Sequence, residues 1–133
     1  MSLRSYQSEI DAWIQQFEEG YWPPLANLAR LTEEVGEFAR EVNHRFGPKK
    51  RKASESDREL AEEMGDILFT IMVMANSLDI DLDEVMDATL QKVVRRDSSR
   101  WKLKPGVSLE SVEAMRDGES NSVVADDESE PRG

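Results

Sequence analysis

Two matched acidic groups are the side chains in this sequence best placed to do chemistry. They are Glu33-Glu34-Val35-Gly36-Glu37 and Glu62-Glu63-Met64-Gly65-Asp66. In each group two carboxylates stand three residues apart, Glu34 with Glu37 and Glu63 with Asp66. On a helix that spacing puts both on one side, one turn apart. Crowded carboxylates repel one another, so four at one helix interface require compensation. Hard oxygen donors suit Mg²⁺ or Mn²⁺, the ions that accompany nucleotide phosphates. A solvated face explains a single acidic run. Two matched pairs on neighbouring helices point instead to a metal centre. Gly36 and Gly65 lie inside the two groups and are expected to let the helix backbones approach closely. That packing gain would offset a cost of about 1 kcal/mol for glycine within a helix.

The elements that must position these groups are helical. Four segments carry the helical period and none alternates like a strand. The first places Tyr6, Ile10, Trp13, Ile14 and Phe17 on one face, with Gly20 as its stop. Pro23-Pro24 then opens a second helix, from about Leu25 to Phe46, which Gly47-Pro48 ends. Ser56 and Glu59 form a capping box for a third helix with the stripe Leu60, Met64, Ile67, Ile71, Met74 and Leu78. Glu37 and Glu63 lie roughly 13 Å and 10 Å from the intervening turn at the helical rise. A short turn makes the two helices antiparallel neighbours, so the four carboxylates are expected to meet at similar height. Phe69 and Val73 make the third helix apolar on its far side too, and a partner subunit is expected to cover them. Asp81-Leu82-Asp83-Glu84 starts a fourth helix, whose pattern fades near Asp97.

The boundaries follow from composition. Residues 1–103 form one small domain, and residues 104–133, with three bases against eight acids, read as a mobile acidic tail. The 133 residues carry 28 acids and 17 bases, a net charge of -11, which argues against a nucleic-acid polymer as partner. The absence of cysteine excludes thiolate metal sites and disulfides. No apolar run approaches the ~18 residues of a membrane span, and no secretory leader pattern is present, so a cytoplasmic protein is expected.

The combination E-E-x-x-E, 25 residues, E-x-x-D resembles the signature of the MazG-like nucleotide pyrophosphohydrolases. The likeness extends over roughly Ser5 to Lys102. It includes Pro24-Leu25-Ala26, Ala39 to His44, Ala75-Asn76-Ser77-Leu78 and Arg96-Asp97 to Arg100-Trp101, in the manner of the small single-domain bacterial type. The resemblance implies an all-α four-helix bundle completed by dimerisation, as a homodimer or a dimer of dimers. It implies cleavage of a nucleoside triphosphate between the α and β phosphates, giving monophosphate and pyrophosphate. By similarity Glu34, Glu37, Glu63 and Asp66 match the metal positions. Glu33 matches an extra acid that orients or deprotonates water, and it reads equally as a surface glutamate.

Phosphates also need cations. Lys92, Arg96 and Arg100 follow one another at four-residue steps on the fourth helix, where the apolar stripe fades. Lys92 and Arg96 are the expected phosphate contacts, against a reading as snorkelling side chains at a helix end. The basic run Lys49 to Lys52 reads as a solvated turn. Asn76 is a candidate to read a base edge, against the favoured reading as a helix-end hydrogen bond. Trp22, beside Pro23, is the candidate for stacking a base, whereas Trp13 is expected in the core. Glu41 and His44 form half of a di-iron motif, but the sequence has no second histidine to complete it. Two rival functions use the same residues. One is a phosphoribosyl-ATP pyrophosphatase-like enzyme; the other is a non-enzymatic helical protein that binds divalent cations or docks a partner.

Overall fold

The computed structural model describes residues 1–48, 52 and 60–117, and every regular element among them is a helix. In chain order these are α1 (Leu3–Ile14), α2 (Pro24–Phe46), α3 (Leu60–Ser77), α4 (Leu82–Asp97) and α5 (Leu109–Asp117). The all-α class expected from periodicity is the class found. The chain divides into two compact units, Met1–Asp83 and Glu84–Gly133.

In the first unit α3 is the central element, packed against both α2 and α1. Its composition requires this. Thr70, Met72, Val73 and Ala75 are buried on more than one side of the helix, and such a helix needs cover on more than one side. On the side of Phe69 that cover is α1. Trp13 meets Phe69 edge-on with ring centroids 6.3 Å apart, and Phe17 with centroids 5.1 Å apart. The expectation that a partner subunit covers Phe69 and Val73 is corrected for Val73 alone, since Phe69 is still 36% exposed. Val73 is buried within the chain itself, because a tethered helix reaches that face first. Trp13, expected in the core, is 53% exposed and sits at its rim.

Helix α1 stops at Ile14, six residues before the glycine expected to end it. Gln15 is its C-cap, and residues beyond it continue in tight turns, with the Gln16 amide donating to Trp13 O and the Phe17 amide to Ile14 O. Gly20 closes that series with φ +60, a left-handed backbone that glycine adopts without a Cβ penalty. Helix α2 begins where the two prolines allow it, with Pro24 in its first turn. The Asn27 side chain, 2% exposed, donates to Trp22 O at 3.2 Å and holds the entering chain to the helix.

The C-terminus of α3 is a Schellman motif. The Ile80 amide donates to Ala75 O at 2.8 Å and the Asp79 amide to Asn76 O at 3.2 Å, with Asp79 at φ 56 in the position usually given to glycine. Helix α4 opens as the sequence indicates, with Asp81 Oδ1 accepting from the Asp83 amide at 2.9 Å. Helix α1 grips this corner. Gln7 Oε1 accepts from the Leu82 amide at 2.9 Å, and Asp83 Oδ1 accepts from the Leu3 amide at 3.0 Å.

In the second unit, Asp97 is 7% exposed near the end of α4 and gathers Arg96 and Arg100. Helix α5 lies inside the segment 104–133 expected to be mobile. Ser108 Oγ accepts from the Ser111 amide at 3.1 Å and caps it, and Leu109 and Val112 are the less exposed residues of its first turns. The capping box at Ser56 and Glu59, the basic residues 49–51 and the tail from residue 118 lie outside the described residues. Among the described residues no helix is long and apolar enough to cross a membrane.

Candidate functional site

Packing of α2 on α3 brings together Glu34, Glu63 and Asp66. One carboxylate oxygen from each lies within 4.8 Å of the others. The three differ in depth. Glu63 is fully buried, the Glu34 side chain is 15% exposed, and Asp66 faces solvent. Glu37 is half-buried one turn further along α2 and lies outside this triplet, while Glu33 is exposed beside it. Three residues of helical rise, about 4.5 Å, separate Glu37 from Glu34, and it is Glu34 that stands level with the α3 pair.

The electrostatics match the crowding. Glu34 is pushed above the ordinary carboxylate range, first by burial and then by the charge of Asp66, with Glu63 and Glu33 adding and Arg30 opposing. The donor set fits a hard divalent cation. Carboxylate oxygens are the donors such an ion takes, and each of the three side chains would have one to offer it. The two glycines play a different part from the one expected. A Cβ at Gly36 or Gly65 would meet nothing within 4 Å, so neither serves a close approach of the α2 and α3 backbones.

One residue escaped sequence reasoning. Arg30 precedes Glu34 by four residues, so the two side chains lie one above the other on α2. Its Nε stands 3.6 Å from Glu34 Oε1, and its guanidinium carbon lies 5.7 Å from the centroid of the Trp22 ring. The arginine-to-glutamate spacing was the available signal; the approach of Trp22, which comes from the chain entering α2, was not.

Arg30 also lines a cleft of about 370 Å³ with Trp13, Phe17, Trp22, Phe69 and Thr70. Trp22, the expected stacking residue, is half-exposed at this cleft. Thr70 is 2% exposed and donates from Oγ1 to Asp66 O at 2.8 Å, so the cleft wall is bonded to the backbone of the triplet. Tyr21 is held on the same wall. Its hydroxyl donates to Asp11 Oδ1 at 2.7 Å and accepts from Asn76 Nδ2 at 3.1 Å. Burial, and then the bond to Asp11, push the phenol above its ordinary range.

Asn76 acts as a tie between α1 and α3. Nδ2 donates to Gln7 O at 2.8 Å as well as to Tyr21, and Oδ1 accepts from Gln7 Nε2 at 2.9 Å. Both amide hydrogens are thus committed within the chain, which leaves none to read a base edge. Lys92 is exposed on α4. Arg96 makes a two-point bond to Asp97, Nε and Nη2 each at 2.8 Å, and Arg100 adds a third contact at 3.1 Å. The hydrogen bond from Arg96 is the main cause holding the Asp97 carboxyl below the ordinary range. His44 Nδ1 stands 3.9 Å from Glu41 Oε1, both side chains at most 10% exposed, as a pair inside the fold.

Comparison with known proteins adds an independent observation. Residues 23–101 match the family model of the MazG nucleotide pyrophosphohydrolase domain. The chain is 52% identical over 103 residues to YpjD of Bacillus subtilis (strain 168), covering 77% of this chain and 93% of that protein. It is 31% identical over 99 residues to YvdC of the same organism, covering 67% and 93%. Among solved structures it is similar to YPJD from Bacillus subtilis, described as a candidate pyrophosphatase, at a TM-score of 0.62 and 53% identity over 69% of this chain and 94% of that one. It is also similar to a Bacillus-conserved MazG protein described as a nucleotide pyrophosphohydrolase, at a TM-score of 0.60 and 48% identity over 69% and 88%.

Proposed function

The chain belongs to the MazG nucleotide pyrophosphohydrolase family, and on that premise we propose that it cleaves nucleoside triphosphates between the α and β phosphates. The products are a nucleoside monophosphate and pyrophosphate. The observation that carries this reading is the convergence of Glu34, Glu63 and Asp66 within 4.8 Å on two helices. Neutral groups would serve a docking surface equally well; carboxylates driven together around a buried Glu63 are better accounted for by a cation that offsets their repulsion.

Glu34, Glu63 and Asp66, with Glu37 one turn along α2, would hold Mg²⁺, or Mn²⁺ in its place. When bound, that ion polarises phosphoryl oxygens, lowers the pKa of a bound water and neutralises the leaving pyrophosphate. The chain's own residues supply position and proton transfer. Water oxygen forms a bond to the α phosphorus, the bond from that phosphorus to the bridging oxygen breaks, and pyrophosphate departs. Glu33, exposed beside the triplet, orients the water and accepts its proton. Trp22 stacks the base at the mouth of the aromatic cleft. Lys92 contacts the leaving phosphates, as does Arg96 once its fork exchanges Asp97 for phosphate oxygens.

The working form is a homo-oligomer. Leu28, Val35, Met64 and Leu68 are 46–53% exposed on α2 and α3, and a second copy of the chain covers them. The cytoplasm is the compartment that suits a nucleotide substrate and a chain without cysteine.

The test is to incubate the purified protein with each ribo- and deoxyribonucleoside triphosphate, and with phosphoribosyl-ATP, in Mg²⁺, and to resolve the products chromatographically. Monophosphate plus pyrophosphate, lost on chelation and in Glu37→Gln, supports the proposal. Diphosphate plus orthophosphate would place the cut at the wrong bond. Turnover of phosphoribosyl-ATP alone would move the enzyme to that substrate class, and no turnover of any nucleotide would overturn the substrate assignment.

A further inference from the structure

Among the described residues Arg30 is a guanidinium whose donors make no hydrogen bond. Its one ion pair, to Glu34 at 3.6 Å, is longer than a hydrogen bond, and its side chain is 45% exposed. The other arginines with described ion pairs are more tightly engaged: Arg4 Nε donates to Asp81 at 2.6 Å, and Arg96 and Arg100 hold Asp97. Arg30 is also the residue shared by the two halves of the site. It lines the aromatic cleft and lies against Trp22 on one side, and it faces the carboxylate triplet through Glu34 on the other.

From this we infer that Arg30 is a phosphate-positioning residue that compensates Glu34 in the free protein and passes to the α-phosphate when metal and nucleotide bind. The inference rests on the function proposed above and adds a residue to it. The chemistry runs as an exchange of partners. Without a cation, the guanidinium offsets part of the repulsion that Glu63 and Asp66 exert on Glu34. A divalent cation at the triplet takes over that compensation and repels the guanidinium. A nucleotide with its base in the cleft and its anhydride at the triplet must carry its α-phosphate across the ground that Arg30 occupies. A planar fork with five N–H donors is suited to that phosphate, and its flat face can stay on the Trp22 ring while the donors turn.

The exchange makes two predictions of opposite sign for Arg30→Gln. With Mn²⁺ alone, loss of a positive charge next to a ligand should tighten binding about three- to tenfold, a Coulomb effect at the surface dielectric. With nucleotide at saturating metal, KM should rise about tenfold or more while kcat changes little, as for an interaction present before and during the reaction. Arg30→Lys should keep Mn²⁺ affinity near that of the wild type, because the charge remains. It should recover only part of the nucleotide affinity, because the fork and the stacking face are lost.

The experiment is a Mn²⁺ titration by calorimetry or electron paramagnetic resonance on the three proteins without nucleotide, followed by steady-state kinetics in excess metal. Tighter Mn²⁺ with raised KM in Arg30→Gln supports the exchange. Weaker Mn²⁺ together with raised KM would mean that Arg30 only holds the site in shape, and an unchanged KM would mean that no phosphate reaches it; either overturns the inference. If the wild type turns over no nucleotide, the substrate assignment fails instead. The Mn²⁺ arm then still decides whether Arg30 and the cation compete for Glu34, and equal affinities there overturn that competition.

Discussion

Replacing Asp66 by asparagine should stabilise the metal-free protein and at the same time abolish its response to metal. Asp66 is the outermost member of the triplet, exposed and near-isosteric with asparagine, so the change removes charge with little effect on packing. It is also the foremost charge raising the proton affinity of Glu34. Carboxylate oxygens no more than 4.8 Å apart repel by at least about 0.9 kcal/mol at the dielectric of water and about 3.5 kcal/mol at an effective value of 20. Solvent at Asp66 favours the lower figure, and salt screens it further. Removing its repulsion with Glu34 and Glu63 should therefore stabilise the apo-protein by about 1 kcal/mol, raising Tm by roughly 4 °C for a chain of this size. The wild type, by contrast, gains about 2.7 kcal/mol from a cation present at a hundred times its Kd. Asp66→Asn has lost a charged ligand and should gain little. The order of the two melting temperatures must then reverse between chelator and excess Mg²⁺. Calorimetry of both proteins at pH 8, at one fixed protomer concentration, reads this directly. A variant less stable than the wild type in chelator, or one with a metal response of wild-type size, would refute the placement of a cation at this triplet.

Other outcomes follow from the same geometry. Because the folded state raises the pKa of Glu34, that group disfavours the fold above its folded pKa, and the penalty fades as pH falls toward its ordinary value. Melting temperature in chelator should carry a component that rises on acidification through this window. The metal-induced increment should shrink over the same window as protons displace the cation, and parallel trends would count against the assignment. Asp97 has the opposite sign: its pKa is depressed, so the stability it confers is present above its unfolded pKa and is lost as pH falls through the folded one, a loss absent in Asp97→Asn. Asn76→Ala removes two hydrogen bonds from α3 to Gln7 of α1 and a third to Tyr21 and should cost about 2–4 kcal/mol in chemical denaturation. Its kcat/KM per folded molecule should hold, and a fall in a fully folded sample would restore the base-edge role. Sedimentation at micromolar concentration should show an oligomer that Leu68→Glu dissociates; a monomeric wild type would leave the exposed apolar side chains of α2 and α3 without that explanation.

Much of this site was legible from spacing. The intervals Glu34–Glu37 and Glu63–Asp66 are local properties of a helix, and 3.6 residues per turn assigns each pair to one side before any packing is known. The limits of α2 were equally local, since Pro24 can start a helix and Gly47-Pro48 cannot continue one. Asp81 at the start of α4 belongs to the same class. What spacing cannot supply is depth and relative height. That Glu63 is fully buried while Asp66 faces solvent, and that Glu34 closes the triplet with Glu37 outside it, depends on how α2 settles on α3. Periodicity detected that α3 is apolar beyond one stripe, yet it could not say whether α1 or another chain covers Phe69. For Val73 the chain itself supplied the cover, whereas Phe69 meets Trp13, on a helix tied through Gln7 and Asn76, and is still 36% exposed. Glycine at Gly36 and Gly65 suggested a close backbone approach, and open space beside both shows that residue type alone does not report what lies opposite it. Arg30 marks the same boundary. Its pairing with Glu34 is written in a four-residue interval, whereas its place against Trp22, between an aromatic cleft and a carboxylate cluster, exists only once the chain entering α2 has folded back onto the helix.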